Sequence, residues 1–186
     1  MRFVIGTRGS RLALAQAEYV QQKLQNRYPE HEFELRIIKT KGDKIQNKSL
    51  AAIGDKGLFV KEIERELLDG EIQLAVHSMK DMPGEIPDEL CFADAWERED
   101  PRDVLILREA KSLNDLPEGS TIGTGSKRRA FQLLALRADL NIVDIRGNVD
   151  TRLNKMHEQK LDGIVLAAAG LKRLHMESVI TQYLST

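Results

Sequence analysis

Short apolar runs alternate with segments of helical periodicity along almost the whole chain, and this rhythm restricts the fold more than any other feature. Residues 2 to 6 read as a strand, and Ala13, Ala17, Val20 and Leu24 then fall at helical spacing behind Ser10, a candidate N-cap. FELRIIK is the next strand, Phe59, Ile63 and Leu67 make one face of a second helix, and IQLAVHS and LCFADAW are further strand-like runs. After the charged turn EREDPRD the alternation restarts with DVLIL, STIGT, NIVDI and DGIVLAAAG. Between and after them lie a helix from about Ser126 to Arg137, one carrying Val149, Leu153 and Met156, and a last helical pattern through Leu174. The alternation predicts an α/β fold with mainly parallel, mixed sheets. The break at EREDPRD predicts two similar-sized α/β domains, 1–98 and 99–186, with a cleft between them.

The polar stretch TKGDKIQNKSLAAIGDKG exceeds the roughly 12 to 15 residues usual for a structureless loop, which marks it as functional or mobile. Lys plus Arg numbers 28 against 29 Asp plus Glu, a net charge of -1, so no general nucleic-acid or membrane-binding surface is expected and functional positive charge must be local. No apolar run approaches the length of a membrane span, and the N-terminus enters a strand-like segment without a signal-peptide pattern, so a cytoplasmic protein is expected. The one cysteine, Cys91, excludes an internal disulfide and a cysteine-based zinc cluster. Its alternating apolar neighbours predict a buried structural thiol. His77, between apolar residues, reads as a satisfied core histidine, and it has no nearby partner at metal-ligand spacing, since His157 and His175 lie in helical, charged surroundings.

Cations cluster just past the apolar runs: Arg8 after the first, Lys80 beside Asp81 after IQLAVHS, Arg128 and Arg129 in STIGTGSKRR, and Arg146 and Arg152 in NIVDIRGNVDTR. In open α/β sheets ligands bind beyond the carboxyl ends of the strands, so this placement predicts a site for an anionic molecule. GTGSKRR turns through two glycines into a helix start, where backbone N–H groups, Ser126 and two guanidiniums favour an anion. It lacks the endings of a P-loop or a dinucleotide fingerprint. Lys56 borders the long polar loop and is a further ligand candidate. Asp81 is the odd carboxylate among these cations, placed to move a proton or to oppose a developing positive charge.

The segments GTRGSRLALAQA, TKGD, KGLFVKEIE, AVHSMKDMP, EREDPRD, IGTGSKRR, IRGNVDTRL and AAAGLKRL, in this order, closely resemble the porphobilinogen deaminase (hydroxymethylbilane synthase) family. The resemblance implies a transferase of tetrapyrrole and haem biosynthesis, which condenses four porphobilinogen units into hydroxymethylbilane with release of ammonia. It implies a dipyrromethane cofactor held through a cysteine thioether, on which the oligopyrrole grows. It assigns catalysis to Asp81, and binding of cofactor and substrate carboxylates to Arg8, Ser10, Lys56, Lys80, Thr124, Ser126, Arg128, Arg129, Arg146, Arg152 and Arg173. The loop from Asp43 to Lys56 would act as a lid, and no metal is involved.

The resemblance also implies parts that this sequence does not show: a return segment that completes the first domain, and a third domain bearing the cofactor cysteine, which Cys91 does not match. The expected partners are therefore porphobilinogen, the growing oligopyrrole and a third domain or second chain, with neither nucleic acid nor membrane. One departure is Gly125, where the family usually has a second serine. Two readings from another class stand beside the enzyme: a binder of the periplasmic ligand-binding type, whose two α/β lobes flank an anion cleft, and a non-catalytic form that holds the anionic pyrrole without turnover.

Overall fold

The computed structural model describes residues 1–44 and 59–185, and separates into two compact units, Met1–Trp96 and Glu97–Thr186. Lys56 and most of the expected lid lie outside the described residues.

In the first unit, β1 (Arg2–Thr7) leads into α1 (Arg11–Arg27), then β2 (Glu32–Ile37), a one-turn helix α2 (Lys41–Lys44), α3 (Lys61–Leu68) and β3 (Leu74–Ala75). The strands form a parallel sheet in the order β2-β1-β3. Ser10 caps α1 as expected, its Oγ accepting from the Ala13 N–H at 3.3 Å. Fully buried Ile5, Ala17 and Ile63 join Ile38 and Ile72 in the core.

The second unit contains β4 (Asp103–Leu107), β5 (Thr121–Gly123), α4 (Lys127–Leu136), β6 (Asn141–Val143), α5 (Val149–Glu158), β7 (Gly163–Ala167), α6 (Ala168–Arg173) and β8 (Gln182–Tyr183). Its sheet runs β6-β5-β7-β4-β8, with β5, β6 and β7 parallel and β4 antiparallel to both neighbours. Val104, Ile106, Ile164 and Leu166 pack into one core and Leu105, Leu107 and Val165 into another, one on each face. A sheet buried on both faces explains why DVLIL and GIVLA are continuous apolar runs.

Three expectations need correction. LCFADAW forms no strand: a strand exists only through pairing, no described strand runs beside this segment, and Phe92 and Trp96 are 50% and 45% exposed. Cys91 is accordingly exposed, not a buried structural thiol. IQLAVHS contributes only a two-residue strand, though Gln73 and Val76 extend its pairing through hydrogen bonds to the Val4 and Gly6 carbonyls.

Candidate functional site

At the carboxyl edge of the first sheet, β1 ends in fully buried Thr7, whose hydroxyl donates to the Ala13 carbonyl at 3.2 Å and fixes the turn that carries Arg8. The Arg8 guanidinium lies 4.0 Å from the centre of the Phe59 ring, a cation–π contact that holds its plane. Ser10 spends a lone pair on capping α1 and keeps its hydroxyl proton for another acceptor. Parallel to β1, β3 runs to the same edge and delivers the 3-10 turn Met79–Asp81, with the Ser78 hydroxyl tied to Gln16 Oε1 at 3.0 Å. Lys80 and Asp81 are both exposed on this turn.

His77 lies just before that turn, and its Nε2 is buried without a hydrogen-bond partner among the described residues, so it is not the satisfied core histidine expected from its neighbours. Burial holds the imidazole below its ordinary pKa, the Arg8 charge pushes the same way, and Asp81 opposes both. A lowered folded value means that the unfolded chain takes up the proton first. Stability from neutral His77 is therefore complete above about pH 6.5 and is lost as pH falls toward the lowered value. Denaturant unfolding between pH 5 and 7.5 should show this loss, with a slope of at most about 1.4 kcal/mol per pH unit, and His77→Gln should flatten it. An unchanged slope in the variant would assign the dependence to other groups.

At the carboxyl edge of the second sheet, β5 leads into buried Thr124, whose Oγ1 accepts from the Ser126 N–H at 3.2 Å. Ser126 caps α4, its Oγ accepting from the Arg129 N–H at 3.5 Å. Gly125 sits so close to the neighbouring loop that a Cβ there would be 3.0 Å from the Ile145 carbonyl oxygen and 3.1 Å from Asp144 Oδ1. That loop leaves β6 and carries Arg146, whose Nη1 is buried and has no hydrogen-bond partner among the described residues. Arg152 Nε donates to the Gly147 carbonyl at 2.8 Å and Lys155 Nζ to the Arg146 carbonyl at 3.0 Å, which fixes the loop from below. Arg173 ends α6, the helix that opens directly from β7.

Gly147 has φ +123°, and a Cβ there would come within 2.6 Å of Thr151 Cγ2. Gly147→Ala is expected to cost about 1–3 kcal/mol of unfolding free energy, readable as a lower thermal midpoint. A neutral effect would show that the turn has room to re-form.

Because β4 is antiparallel, it brings its amino end, not its carboxyl end, to this edge, where Asp103 stands opposite Ala167. Asp103 Oδ1 accepts from Arg129 Nε at 3.0 Å and Nη2 at 2.7 Å, and Oδ2 from Arg128 Nη2 at 2.7 Å. Arg129 also donates to the Val165 carbonyl, and its side chain is 11% exposed against 59% for Arg128. Burial, the largest influence, pushes the Asp103 carboxyl up; the two guanidiniums outweigh it and leave the group below its ordinary value. Nearby, Asp100 is gripped by both ends of the Arg102 guanidinium, at 2.9 and 2.7 Å, and Lys172 reaches Glu99 at 3.3 Å.

The first edge thus gathers Arg8, Ser10, Lys80 and Asp81, and the second Thr124, Ser126, Arg128, Arg129, Arg146, Arg152 and Arg173. Asp103 escaped the sequence reading because EREDPRD showed only a charged turn; an antiparallel central strand is needed to place its carboxylate at the arginines.

Two α/β units with mixed and parallel sheets define a periplasmic-binding-protein-like class of fold. The whole chain superposes on the "probable amino-acid ABC transporter extracellular-binding protein" ytmK of Bacillus subtilis with TM-score 0.56 at 12% identity, covering 100% of this chain and 79% of that one. A lipoprotein of Actinomyces odontolyticus aligns with TM-score 0.55 at 14% identity, covering 99% of this chain and 77% of that one. Sequence identifies the family. The model "Porphobilinogen deaminase, dipyromethane cofactor binding domain" matches residues 3–186. The porphobilinogen deaminase of Clostridioides difficile (strain 630) is 62% identical over 185 residues, covering 99% of this chain and 62% of that protein. That of Lachnospira eligens is 62% identical over 186 residues, covering 99% of this chain and 63% of that protein. The chain belongs to the porphobilinogen deaminase family and spans about three-fifths of the length of these relatives. No described helix is long and apolar enough to cross a membrane.

Proposed function

We propose that this chain supplies the substrate- and cofactor-carboxylate-binding part of a porphobilinogen deaminase, which condenses porphobilinogen units stepwise to hydroxymethylbilane with loss of ammonia. The observation that carries the reading within the structure is Arg146: a buried guanidinium nitrogen without an acceptor among the described residues, on a loop locked by Arg152 and Lys155, suits an anionic ligand. Each pyrrole unit brings two carboxylates, so an oligopyrrole needs several fixed cations, and arginine meets a carboxylate through two parallel hydrogen bonds without losing its charge.

In this reading Arg8, Ser10 and Lys80 bind carboxylates at the first edge, and Thr124, Ser126, Arg128, Arg146, Arg152 and Arg173 at the second. Arg129 is mainly spent on Asp103, and its part in binding is the weaker assignment. Asp81 would assist loss of the amino group and oppose positive charge on the pyrrole. Lys56 and the lid remain part of the proposal on sequence grounds.

The donor set fits the carboxylates of a dipyrromethane, which when bound would supply the primer end for chain growth. Cys91, exposed in a segment without strand pairing, does not match the family's attachment position and is not proposed as its anchor. The anchoring cysteine would then come from a third domain or another chain. A cytoplasmic location belongs to the same reading.

Porphobilinogen added to the purified chain tests it, with binding followed by calorimetry and pyrrole products by mass. Saturable binding that Arg146→Ala weakens by about tenfold or more supports the assignment, and hydroxymethylbilane would extend it to full turnover. Binding by the folded chain that ignores Arg146→Ala would sink it.

A further inference from the structure

Among the described residues Asp103 is the one carboxylate held directly by the arginine pair of α4, and the sequence pattern gave it no role. It is 13% exposed and receives three guanidinium hydrogen bonds of 2.7 to 3.0 Å. Arg128, by contrast, is more than half exposed, yet is gripped on both sides: Nη2 by Asp103 Oδ2 and Nη1 by Gln132 Oε1, each at 2.7 Å. These two bonds use two of the five N–H donors of its guanidinium. An exposed arginine otherwise loses rotamer entropy when fixed by a ligand. Holding it beforehand removes much of that cost, which is how preorganisation raises affinity.

We propose that Asp103 is a positioning residue: with Gln132 it presets the Arg128 guanidinium for a substrate carboxylate, while occupying Arg129 as the second, buried support. The inference rests on the carboxylate-binding reading of this edge and adds a residue to it. It makes a prediction opposite in sign to that from charge alone. Asp103 leaves the three-residue cluster with a net charge of +1, so Asp103→Asn raises the local positive charge, and simple attraction would tighten binding of an anion. Loss of preorganisation weakens it.

The test is calorimetric titration of the 186-residue chain with porphobilinogen at fixed ionic strength, with thermal unfolding as a folding control. Asp103→Asn should weaken binding about tenfold, Gln132→Ala about threefold, and Asp103→Asn should weaken it no further in an Arg128→Ala background. Equal or tighter binding by Asp103→Asn, or additive losses in the double variant, would overturn the positioning role while leaving the carboxylate-binding reading intact. If Asp103→Asn does not fold, Gln132→Ala decides, because this exposed amide leaves no buried charge behind, and unchanged affinity there overturns the proposal. A folded wild type that does not bind porphobilinogen at all overturns the carboxylate-binding reading and this inference with it.

Discussion

Arg129→Met should lower the stability of the second unit by about 3–5 kcal/mol, while Arg128→Met, one residue away, should cost less than about 1 kcal/mol. The contrast follows from exposure. Arg129 and Asp103 are 11% and 13% exposed, so removing this guanidinium takes two of three hydrogen bonds from a carboxylate that water reaches poorly and leaves it only the more exposed Arg128. Arg128 is 59% exposed, and Asp103 keeps Arg129 when it goes. For a unit of this size each kcal/mol moves the midpoint by about 4–8 °C, so calorimetry should separate the two variants by about 8 °C or more. The effect has a pH signature. Because the arginines hold the Asp103 carboxyl below its ordinary value, their stabilisation is complete above about pH 4 and is lost as pH falls through the lowered value. Wild type and Arg129→Met should therefore converge in acid. Equal destabilisation by the two substitutions would mean that Asp103 is solvated well enough to need neither partner.

The strand and helix assignments were legible because the periodicities were strong: Ser10 before Ala13, Ala17 and Val20 marks a capped amphipathic helix whatever surrounds it. Direction and pairing were less legible. DVLIL reads the same whether parallel or antiparallel, yet its antiparallel placement is what delivers Asp103 to Arg128 and Arg129. LCFADAW alternates like a strand, but alternation records only which side chains could share a face, and pairing depends on a neighbour supplied elsewhere. The cations of the candidate site were visible because strand carboxyl ends and loop glycines bracket them. What no local pattern reveals is how a guanidinium is spent: Arg129 on Asp103, Arg152 in part on the Gly147 carbonyl, and the Arg146 Nη1 on no described group.

Asp81→Asn is expected to reduce porphobilinogen consumption by about two to three orders of magnitude, measured in the polypeptide extended to the length of its relatives, with little change in folding. The substitution keeps the shape of the side chain and removes its charge. At about 4 Å, with an effective dielectric near 20, a carboxylate stabilises a cation by about 4 kcal/mol, which corresponds to roughly 10³ in rate if that cation exists only at the transition state and intermediate. Loss of ammonia from an aminomethylpyrrole creates such a cation, and the proposed role of Asp81 is to face it. Asp81 is exposed on a 3-10 turn and buries no contact whose loss would unfold the first unit, so the thermal midpoint should stay within a few degrees. Asp81→Glu, with its charge retained but displaced by one methylene, should fall between the two. Lys80→Met should act differently, weakening substrate binding with less effect on the rate at saturation, because a carboxylate contact is made in ground state and transition state alike. Near-wild-type turnover by Asp81→Asn would remove the residue from the chemistry. Equal losses in Asp81→Asn and Asp81→Glu would instead make its position, rather than its charge, the requirement.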